Sequence, residues 1–307
     1  MSESGFDTQP YTFFGKTYTT DEADVVIVPV QFDRTASFKG GAAYGPREII
    51  MASWQLEEYD MEMRWNLADS VKIATHPELA PAIYVYDMIC RVEEVALRLL
   101  QEGKFVFGLG GDHSLSAGFV RAQKKYRRNP FTILHFDAHS DFRHSYEGSI
   151  WSHACVARRW SDWEIPLVQI GIRSTTEDIV KEQEKRRKAG MNISVFPAFH
   201  PIFASHYIPD HTVHEILHAI KTTDVYVSID VDCFDISEIG SSTGTPVPGG
   251  LRRRQVENIL REVGRQRNII GGDLVEFRPS GEGTFAYAFS MAELIYKFFT
   301  YAFQGSF

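Results

Sequence analysis

Three short segments of the chain concentrate carboxylate and imidazole side chains at points where an apolar run ends. They read Gly110-Gly111-Asp112-His113-Ser114, Asp137-Ala138-His139-Ser140-Asp141 and Asp230-Val231-Asp232. Residues two apart on an extended chain point to the same side, so the alternating groups of a segment can converge on one point. Together the segments offer six candidate metal ligands: His113, Asp137, His139, Asp141, Asp230 and Asp232.

The composition of this ligand set indicates which metal it would bind. Four carboxylates and two imidazoles suit two hard divalent cations, and the two nitrogens favour Mn²⁺ over Mg²⁺. Without comparable positive charge the carboxylates would repel one another strongly. Two of the segments alone have an ordinary explanation, because Asp-Val-Asp can cap a helix and Gly-Gly-Asp-His can form a tight turn. The segment Asp137–Asp141 is harder to explain in this way, because three alternating ionisable groups after a buried strand are costly without a ligand. The occurrence of all three at predicted strand ends favours metal binding.

The elements that would position these residues follow from the apolar pattern. Short runs that are apolar on both faces predict buried parallel strands at Val25–Val30, Val71–Ala74, Phe105–Leu109, Phe131–Phe136, Leu167–Ile172, Ile193–Phe196, Val225–Ile229 and Ile269–Val275. Amphipathic patterns predict helices at Ala82–Gln101, Leu115–Tyr126, Thr176–Ala189, Thr212–Ile220, Arg253–Gly264 and Phe285–Phe299. This alternation predicts an α/β fold in which helices cover both faces of a parallel sheet of about eight strands. Ligands bind outside the carboxyl ends of such strands, where the three segments fall.

The bulk composition restricts the class of function. A formal net charge of −8 disfavours a nucleic-acid partner, which needs a basic surface. No apolar run approaches the roughly 20 residues that span a bilayer, so no membrane association is expected, and the polar N-terminus does not resemble a secretory signal. Three widely spaced cysteines predict a reduced, cytoplasmic protein. We expect a single domain over residues 1–307, with residues 1–22 as an N-terminal arm or edge-capping segment.

The motifs resemble those of the ureohydrolase superfamily, which includes arginases, agmatinases, guanidinobutyrases and formiminoglutamases. The resemblance extends from residues 41–47 (GAAYGPR) to residues 273–276 (DLVE), and its central motifs GGDHS, FDAHSD and SIDVD are highly specific in combination. Residues 152–159 and 171–174 look most like the agmatinase branch. The resemblance implies a three-layer α/β/α sandwich around an eight-stranded, mostly parallel sheet, assembled as a homo-oligomer, either a trimer or a hexamer.

The resemblance also implies a binuclear site that holds two Mn²⁺ ions. One ion would be held by His113, Asp137, Asp141 and Asp232. The other would be held by His139 with Asp137, Asp230 and Asp232, so that Asp137 and Asp232 would bridge the two ions.

The reaction that the resemblance implies is hydrolysis of a guanidino compound to urea and an amine, with agmatine as the leading substrate candidate. A pair of bound ions would lower the pKa of a shared water towards neutrality. Asp141 would transfer the proton of the attacking water to the leaving nitrogen. His153 is the candidate proton shuttle to bulk water, although it could instead be a hydrogen-bonding residue at a helix start. Glu276 could pair with the guanidinium through two parallel hydrogen bonds, or be a surface carboxylate at a strand end.

Two departures from the superfamily pattern bear on the substrate. Relatives commonly have proline where Ile236 follows Asp235 in this chain, and the loop that begins there looks about one residue longer. Relatives usually place a small or uncharged residue where this chain has Arg278. A cation beside Glu276 would compete with a cationic substrate if it pointed inward, so we expect Arg278 to point outward.

Several alternatives remain open from the sequence. The substrate could be guanidinobutyrate, guanidinopropionate, arginine or guanidine, and Arg143 could receive a substrate carboxylate. The chain could be a non-catalytic homologue that acts as an assembly partner, although such proteins lose metal ligands and all six are present here. A metal-dependent deacetylase of related fold would need one metal ion, whereas this ligand set suits two.

Overall fold

The computed structural model describes residues 11–204, 213–281 and 283–304. Its strands are β1 (Val25–Val30), β2 (Tyr59–Asp60), β3 (Trp65–Asn66), β4 (Ile73–Thr75), β5 (Phe105–Gly110), β6 (Phe131–Phe136), β7 (Leu167–Ile172), β8 (Ile193–Pro197), β9 (Asp224–Asp230) and β10 (Asn268–Val275). Eight of them form one sheet in the order β4-β1-β5-β10-β9-β6-β7-β8. Its strand pairs are parallel, while β2 and β3 form a separate antiparallel pair.

The helices cover both faces of this sheet. They are α1 (Gly45–Ser53), α2 (Val85–Gln101), α3 (Ser116–Tyr126), α4 (Val156–Asp162), α5 (Glu177–Lys188), α6 (His214–Ala219), α7 (Ile236–Ile239), α8 (Arg253–Gln266) and α9 (Thr284–Phe303). Because strand side chains alternate between faces, Val25 and Ile27 belong to one buried cluster, whereas Val26 and Val28 belong to the other. Residues of α1, α6, α8 and α9 complete the first cluster, and residues of α2, α3, α4 and α5 complete the second. The predicted three-layer α/β/α sandwich with eight strands is confirmed.

The predicted strands and helices agree with the structure within a few residues, with a few exceptions. The strand predicted at Val71–Ala74 lies at Ile73–Thr75, and the helix predicted from Ala82 begins at Val85. Part of the helix predicted at Thr212–Ile220 lies outside the described residues. Helix α1 was not predicted, although Pro46 stands in its first turn, where proline is favoured. The short helix α4 was also not predicted.

Residues 11–22 of the predicted N-terminal arm lie along the edge of the sheet that ends in β4. Phe13 is fully buried, and its backbone N–H donates to Thr75 Oγ1 at 2.8 Å. The Trp54 indole donates to the carbonyl of Thr12 at 2.9 Å, which ties the same segment to the end of α1. Residues 1–10 of the predicted arm lie outside the described residues.

Candidate metal centre and active site

Four adjacent strands deliver the candidate residues to one end of the sheet. In the order β5-β10-β9-β6, β5 is followed by His113, β10 by Glu276, β9 ends at Asp230, and β6 is followed by the segment from Asp137 to Asp141. Parallel strands present their carboxyl ends at the same edge. Residues separated by more than 160 positions in the chain therefore meet at one place.

His113 lies at the bottom of the site and has no exposed surface. Its Nδ1 atom is 3.3 Å from Asp137 Oδ2, 3.2 Å from Asp141 Oδ2 and 3.2 Å from Asp230 Oδ2. Burial by itself lowers the pKa of His113, but the contacts with these three carboxylates outweigh burial and raise the pKa well above its ordinary value. Three carboxylates and one imidazole nitrogen therefore converge on one buried point.

A second cluster lies on the other side of Asp137. His139 Nδ1 is 2.8 Å from Asp232 Oδ2 and 3.7 Å from Asp137 Oδ1. Burial lowers the pKa of His139, but Asp232 and Asp137 outweigh it and raise the pKa to about 12. Asp137 thus presents one oxygen to each histidine. Burial raises the pKa of Asp137, yet its histidine contacts outweigh burial and hold the pKa well below its ordinary value.

The side-chain contacts differ from one pairing of ligands that the resemblance implies. Of the two carboxylates in Asp230-Val231-Asp232, it is Asp230 that approaches His113, whereas Asp232 approaches His139. The reason is that Asp232 lies beyond the strand in the 3-10 turn Val231–Cys233, where the Ala138 N–H donates to its Oδ1 at 2.9 Å. Asp230 therefore belongs to the His113 group, in the place that the resemblance gave to Asp232.

The donor set fits divalent cations. Fully buried His113 Nδ1 forms no hydrogen bond with any residue in the described part of the chain, although carboxylate oxygens surround it. The other ring nitrogen, Nε2, is 3.0 Å from Ser228 Oγ, and that hydroxyl donates to the buried carboxylate of Asp273 at 2.7 Å. Metal-bound imidazoles commonly use one nitrogen for the ion and hold the other by a hydrogen bond. His113 is therefore arranged to give the lone pair of Nδ1 to a cation.

Asp141 and Glu276 both adopt left-handed backbone conformations that only glycine adopts without cost. Their φ angles are 47° and 64°, and such a conformation costs an ordinary residue about 1–2 kcal/mol. Strain of this kind concentrates at functional sites, where the side chain must be aimed in a direction that relaxed backbone does not allow. Both residues were predicted to act in catalysis.

The Glu276 carboxylate faces the same space from β10. Its backbone N–H donates to the Gly111 carbonyl at 2.7 Å, and its Oε1 accepts a hydrogen bond from the His113 N–H at 2.8 Å. Burial and then the neighbouring Asp112 raise the pKa of Glu276 well above its ordinary value. Arg278 points away, as expected, because its guanidinium donates to the carbonyls of Gly40 and Ser241 at 2.7 and 3.3 Å.

His153 lies at the start of the 3-10 turn that precedes α4. Its Nε2 is 3.1 Å from Ser37 Oγ, and its backbone N–H donates to Thr35 Oγ1 at 3.0 Å. Thr35 Oγ1 in turn donates to Asp112 Oδ2 at 2.9 Å. The ring is therefore held beside the loop that carries Ser37, in a position that is partly open to solvent.

These residues line one cleft of about 280 Å³. Its walls include His139, Asp141, Asp230, Asp232 and Glu276, with His153 at one side, while His113 and Asp137 lie buried beneath. Lys39 and Arg143 also line the cleft, and both side chains are exposed. The structure thus brings all eight predicted site residues together.

Sequence reasoning did not find several polar residues that support the site. His135 and Gln169 lie inside the apolar strands β6 and β7, and both are fully buried. Thr35 and Asp112 connect His153 to the segment that follows β5. A histidine or glutamine inside an otherwise apolar strand is a signal that could have found the first two, because buried polar groups require partners.

Comparison with known proteins places this architecture in a family. Residues 23–300 match the arginase family. The chain belongs to the arginase family. It is 37% identical to an N(1)-aminopropylagmatine ureohydrolase of Thermus thermophilus, covering 90% of this chain and 89% of that protein. It is 32% identical to the agmatinase of Bacillus subtilis, covering 84% of this chain and 85% of that protein.

Solved structures agree with the sequence comparison. The agmatine ureohydrolase of Thermoplasma volcanium superposes with a TM-score of 0.81 at 28% identity, over 97% of this chain and 95% of that chain. The predicted family and the predicted class of enzyme are confirmed: the chain is a ureohydrolase that acts on guanidino compounds. The arginase family uses a binuclear metal site, and this chain has two clusters of His and Asp side chains that could hold metal ions. Within the described residues, no helix is both long enough and apolar enough to cross a membrane.

Proposed function

We propose that this chain hydrolyses agmatine or a close derivative of agmatine to urea and the corresponding amine. The observation that supports this most directly is the position of Glu276, a carboxylate that lines the cleft beside the His and Asp clusters. A carboxylate offers two acceptor oxygens in the geometry that a guanidinium matches with two parallel N–H donors. Glu276 would then hold the guanidinium with its carbon next to the metal centre.

The six ligands proposed for this centre divide into two groups. His113, Asp141 and Asp230 would hold one cation, and His139 and Asp232 the other, while Asp137 reaches both groups. We propose Mn²⁺ as the metal, because hard oxygen ligands are combined with two imidazoles. When bound, the pair of ions supplies a water of lowered pKa as a nucleophile.

The proton transfers are assigned to two side chains of the cleft. Water adds to the guanidinium carbon, the bond from that carbon to the alkyl-bearing nitrogen breaks, and that nitrogen takes up a proton. The Asp141 carboxylate, held at the surface of the cleft by its left-handed backbone, would accept the proton of the attacking water and pass it to the leaving nitrogen. His153, at the side of the cleft, would exchange protons with bulk water.

The tail of the substrate is proposed from the relatives. Both related enzymes named above carry names built on agmatine, with or without an aminopropyl group. Lys39 and Arg143 line the same cleft as Glu276, and both side chains are exposed to solvent. An extension on the far nitrogen of agmatine would leave the cleft beside these two side chains.

The same two cations favour a second candidate substrate, a guanidino acid such as 4-guanidinobutyrate. Lys39 Nζ lies 5.2 Å from the centre of the Phe38 ring, and the Arg143 guanidinium lies 5.4 Å from the Tyr146 ring. Either side chain could turn towards a substrate carboxylate. Their charges are exposed and screened by solvent, which is why the agmatine class remains the first proposal.

Initial rates of urea release decide between these substrates. The panel contains agmatine, N(1)-aminopropylagmatine, arginine, 4-guanidinobutyrate, 3-guanidinopropionate and guanidine, each with added Mn²⁺. We expect kcat/KM for agmatine or its derivative to exceed that for arginine by at least ~100-fold, which corresponds to about 2.7 kcal/mol. Preference for 4-guanidinobutyrate, together with its selective loss in Arg143→Met, would establish the second candidate instead.

The wider setting of the enzyme is also proposed. We propose a single domain over residues 1–307, a homo-oligomer that is a trimer or a hexamer, and a cytoplasmic location in polyamine biosynthesis. The putrescine released from agmatine is a polyamine, which is the reason for the last assignment. Light scattering of the purified protein tests the assembly.

A further inference from the structure

His135 is a buried histidine beside the metal centre that the mechanism does not use. It lies in β6 two residues before Asp137, and its ring is fully buried. Its Nε2 is 2.9 Å from Asp137 Oδ2. The ligand atoms of His113, His135, Asp137 and Asp141 lie within 4.8 Å of one another, so proximity alone would make His135 a seventh metal ligand.

A chain of buried hydrogen bonds determines which ring nitrogen of His135 carries the proton. The side-chain amide of Gln169 lies 2.8 Å from the Ser140 carbonyl. A carbonyl can only accept, so the Gln169 nitrogen must face it. The Gln169 oxygen then accepts from the amide of Gln183 at 2.7 Å, which agrees with this orientation.

The same Gln169 nitrogen is 3.0 Å from His135 Nδ1. Since that nitrogen donates, Nδ1 must accept, and the ring proton of neutral His135 must be on Nε2. Nε2 therefore donates to Asp137 Oδ2. Both ring nitrogens are then occupied, one by a hydrogen bond that it accepts and one by a proton that it donates, and no lone pair is left for a metal ion.

We propose that His135 is a positioning residue for Asp137 and not a metal ligand. Asp137 is the carboxylate that reaches both histidine clusters, so its orientation affects both cation sites at once. The N–H of His135 occupies one lone pair of Oδ2 and directs the remaining lone pairs towards the centre. The Trp160 ring packs edge-on against His135 with the centroids 5.2 Å apart, which restricts rotation of the imidazole. This inference rests on the proposed metal site.

Mn²⁺ binding to the purified protein tests the proposal, with stoichiometry and Kd measured by titration calorimetry. His135→Phe keeps a ring of similar size and removes the donor, and Gln169→Leu removes the group that sets the tautomer. We expect both variants to bind two Mn²⁺ ions per chain, as the wild type does. The Kd should rise by about 10–100-fold, the usual effect of losing a partner that orients a metal ligand.

Gln123→Leu is the matched control. Gln123 is also a buried glutamine that donates to a backbone carbonyl, that of Ile270 at 3.0 Å. It also accepts one side-chain hydrogen bond, from Arg127 Nε at 2.9 Å. A general loss of core stability would lower the Tm of both glutamine variants equally. Only Gln169→Leu should weaken Mn²⁺ binding.

Four results would overturn the proposal. Binding of one ion per chain by His135→Phe would show that His135 is a ligand, as would a crystal structure of the Mn²⁺-loaded wild type with an ion bonded to His135 Nε2. An unchanged Kd for Mn²⁺ in both variants would show that His135 does not position Asp137. Absence of Mn²⁺ binding in the wild type would show that there is no Mn²⁺ site for which His135 could position Asp137. None of these measurements uses a substrate, so failure of the proposed urea-releasing activity would be seen separately. Gln169→Leu keeps the test valid if His135→Phe does not fold.

Discussion

Substitution of Glu276 by glutamine tests how the guanidinium is held. In the wild type, Glu276 Oε1 accepts the backbone N–H of His113 at 2.8 Å. A glutamine in the same place must turn its oxygen towards that N–H, since its nitrogen cannot accept. The nitrogen then takes the position of the second carboxylate oxygen and presents N–H donors to a substrate group that itself has only donors. The change therefore replaces an attractive contact between donors and an acceptor by a repulsive contact between two sets of N–H donors.

The size of the effect follows from the bonds that are lost. Each hydrogen bond to a charged group contributes about 1.5–3 kcal/mol. Losing both bonds to the guanidinium should cost about 3–6 kcal/mol of transition-state stabilisation, which corresponds to a fall in kcat/KM of about 150- to 25,000-fold. Glu276 is not among the proposed metal ligands, so the variant should still bind two Mn²⁺ ions per chain.

The assay is the initial rate of urea release from agmatine with saturating Mn²⁺, accompanied by metal analysis of the same samples. Glu164→Gln is a suitable control, because Glu164 also has a left-handed backbone, with φ of 59°, and is exposed outside the cleft. A fall of less than about fivefold in Glu276→Gln would refute the proposed guanidinium contact, since one charged hydrogen bond alone contributes more than that. Loss of one ion per chain would show instead that Glu276 supports the metal centre.

Further substitutions separate the other roles. Metal analysis after incubation with Mn²⁺ and desalting should find two ions per chain, and full activity with one or none would contradict the binuclear site. His113→Ala and Asp141→Asn should abolish turnover with the circular dichroism spectrum retained, whereas His153→Ala should slow turnover by about 100-fold and keep both ions. Loss of metal in His153→Ala would exclude a shuttle role. Asp235→Asn should lower the Tm at pH 7 by roughly 2–4 °C, from about 1 kcal/mol after discounting for solvent exposure. Burial raises the pKa of Asp235, but hydrogen bonds from the residues that follow outweigh it and lower the pKa to about 2. The stabilisation is therefore present above the ordinary pKa of 3.8 and lost as the pH falls through 2, so the Tm difference should shrink between pH 4 and pH 2. A constant difference over that range would contradict this origin.

The sequence by itself determined the positions of the eight sheet strands along the chain and the identity of the ligand-bearing segments. The strands predicted at Val25–Val30 and Phe131–Phe136 have the same bounds in the structure. They could be predicted because a strand that is buried on both faces needs apolar residues at successive positions. The ligands could be found for a related reason. Ionisable residues such as Asp137 and His139 directly after a buried strand are costly unless they bind something.

Tertiary structure decided how those groups are distributed. Asp230 and Asp232 are equivalent in the sequence pattern, and only the turn after β9 sends one to His113 and the other to His139. The left-handed conformations of Asp141 and Glu276 depend on contacts from distant segments, as does the outward direction of Arg278, which is held by Gly40 and Ser241. Such contacts join residues that no local period relates.

The buried polar network shows the same division most clearly. His135 and Gln169 lie on two strands, and Gln183 lies on a helix. Successive members of this set are 34 and 14 residues apart, so no local periodicity of the sequence indicates that they are in contact. The alignment of β6 beside β7 pairs His135 with Gln169, and α5 brings Gln183 onto that pair. A hydrogen bond requires its two atoms to be within about 3 Å of each other. Chain composition can require that a buried polar group has a partner, but only the packed sheet and helices determine which residue it is.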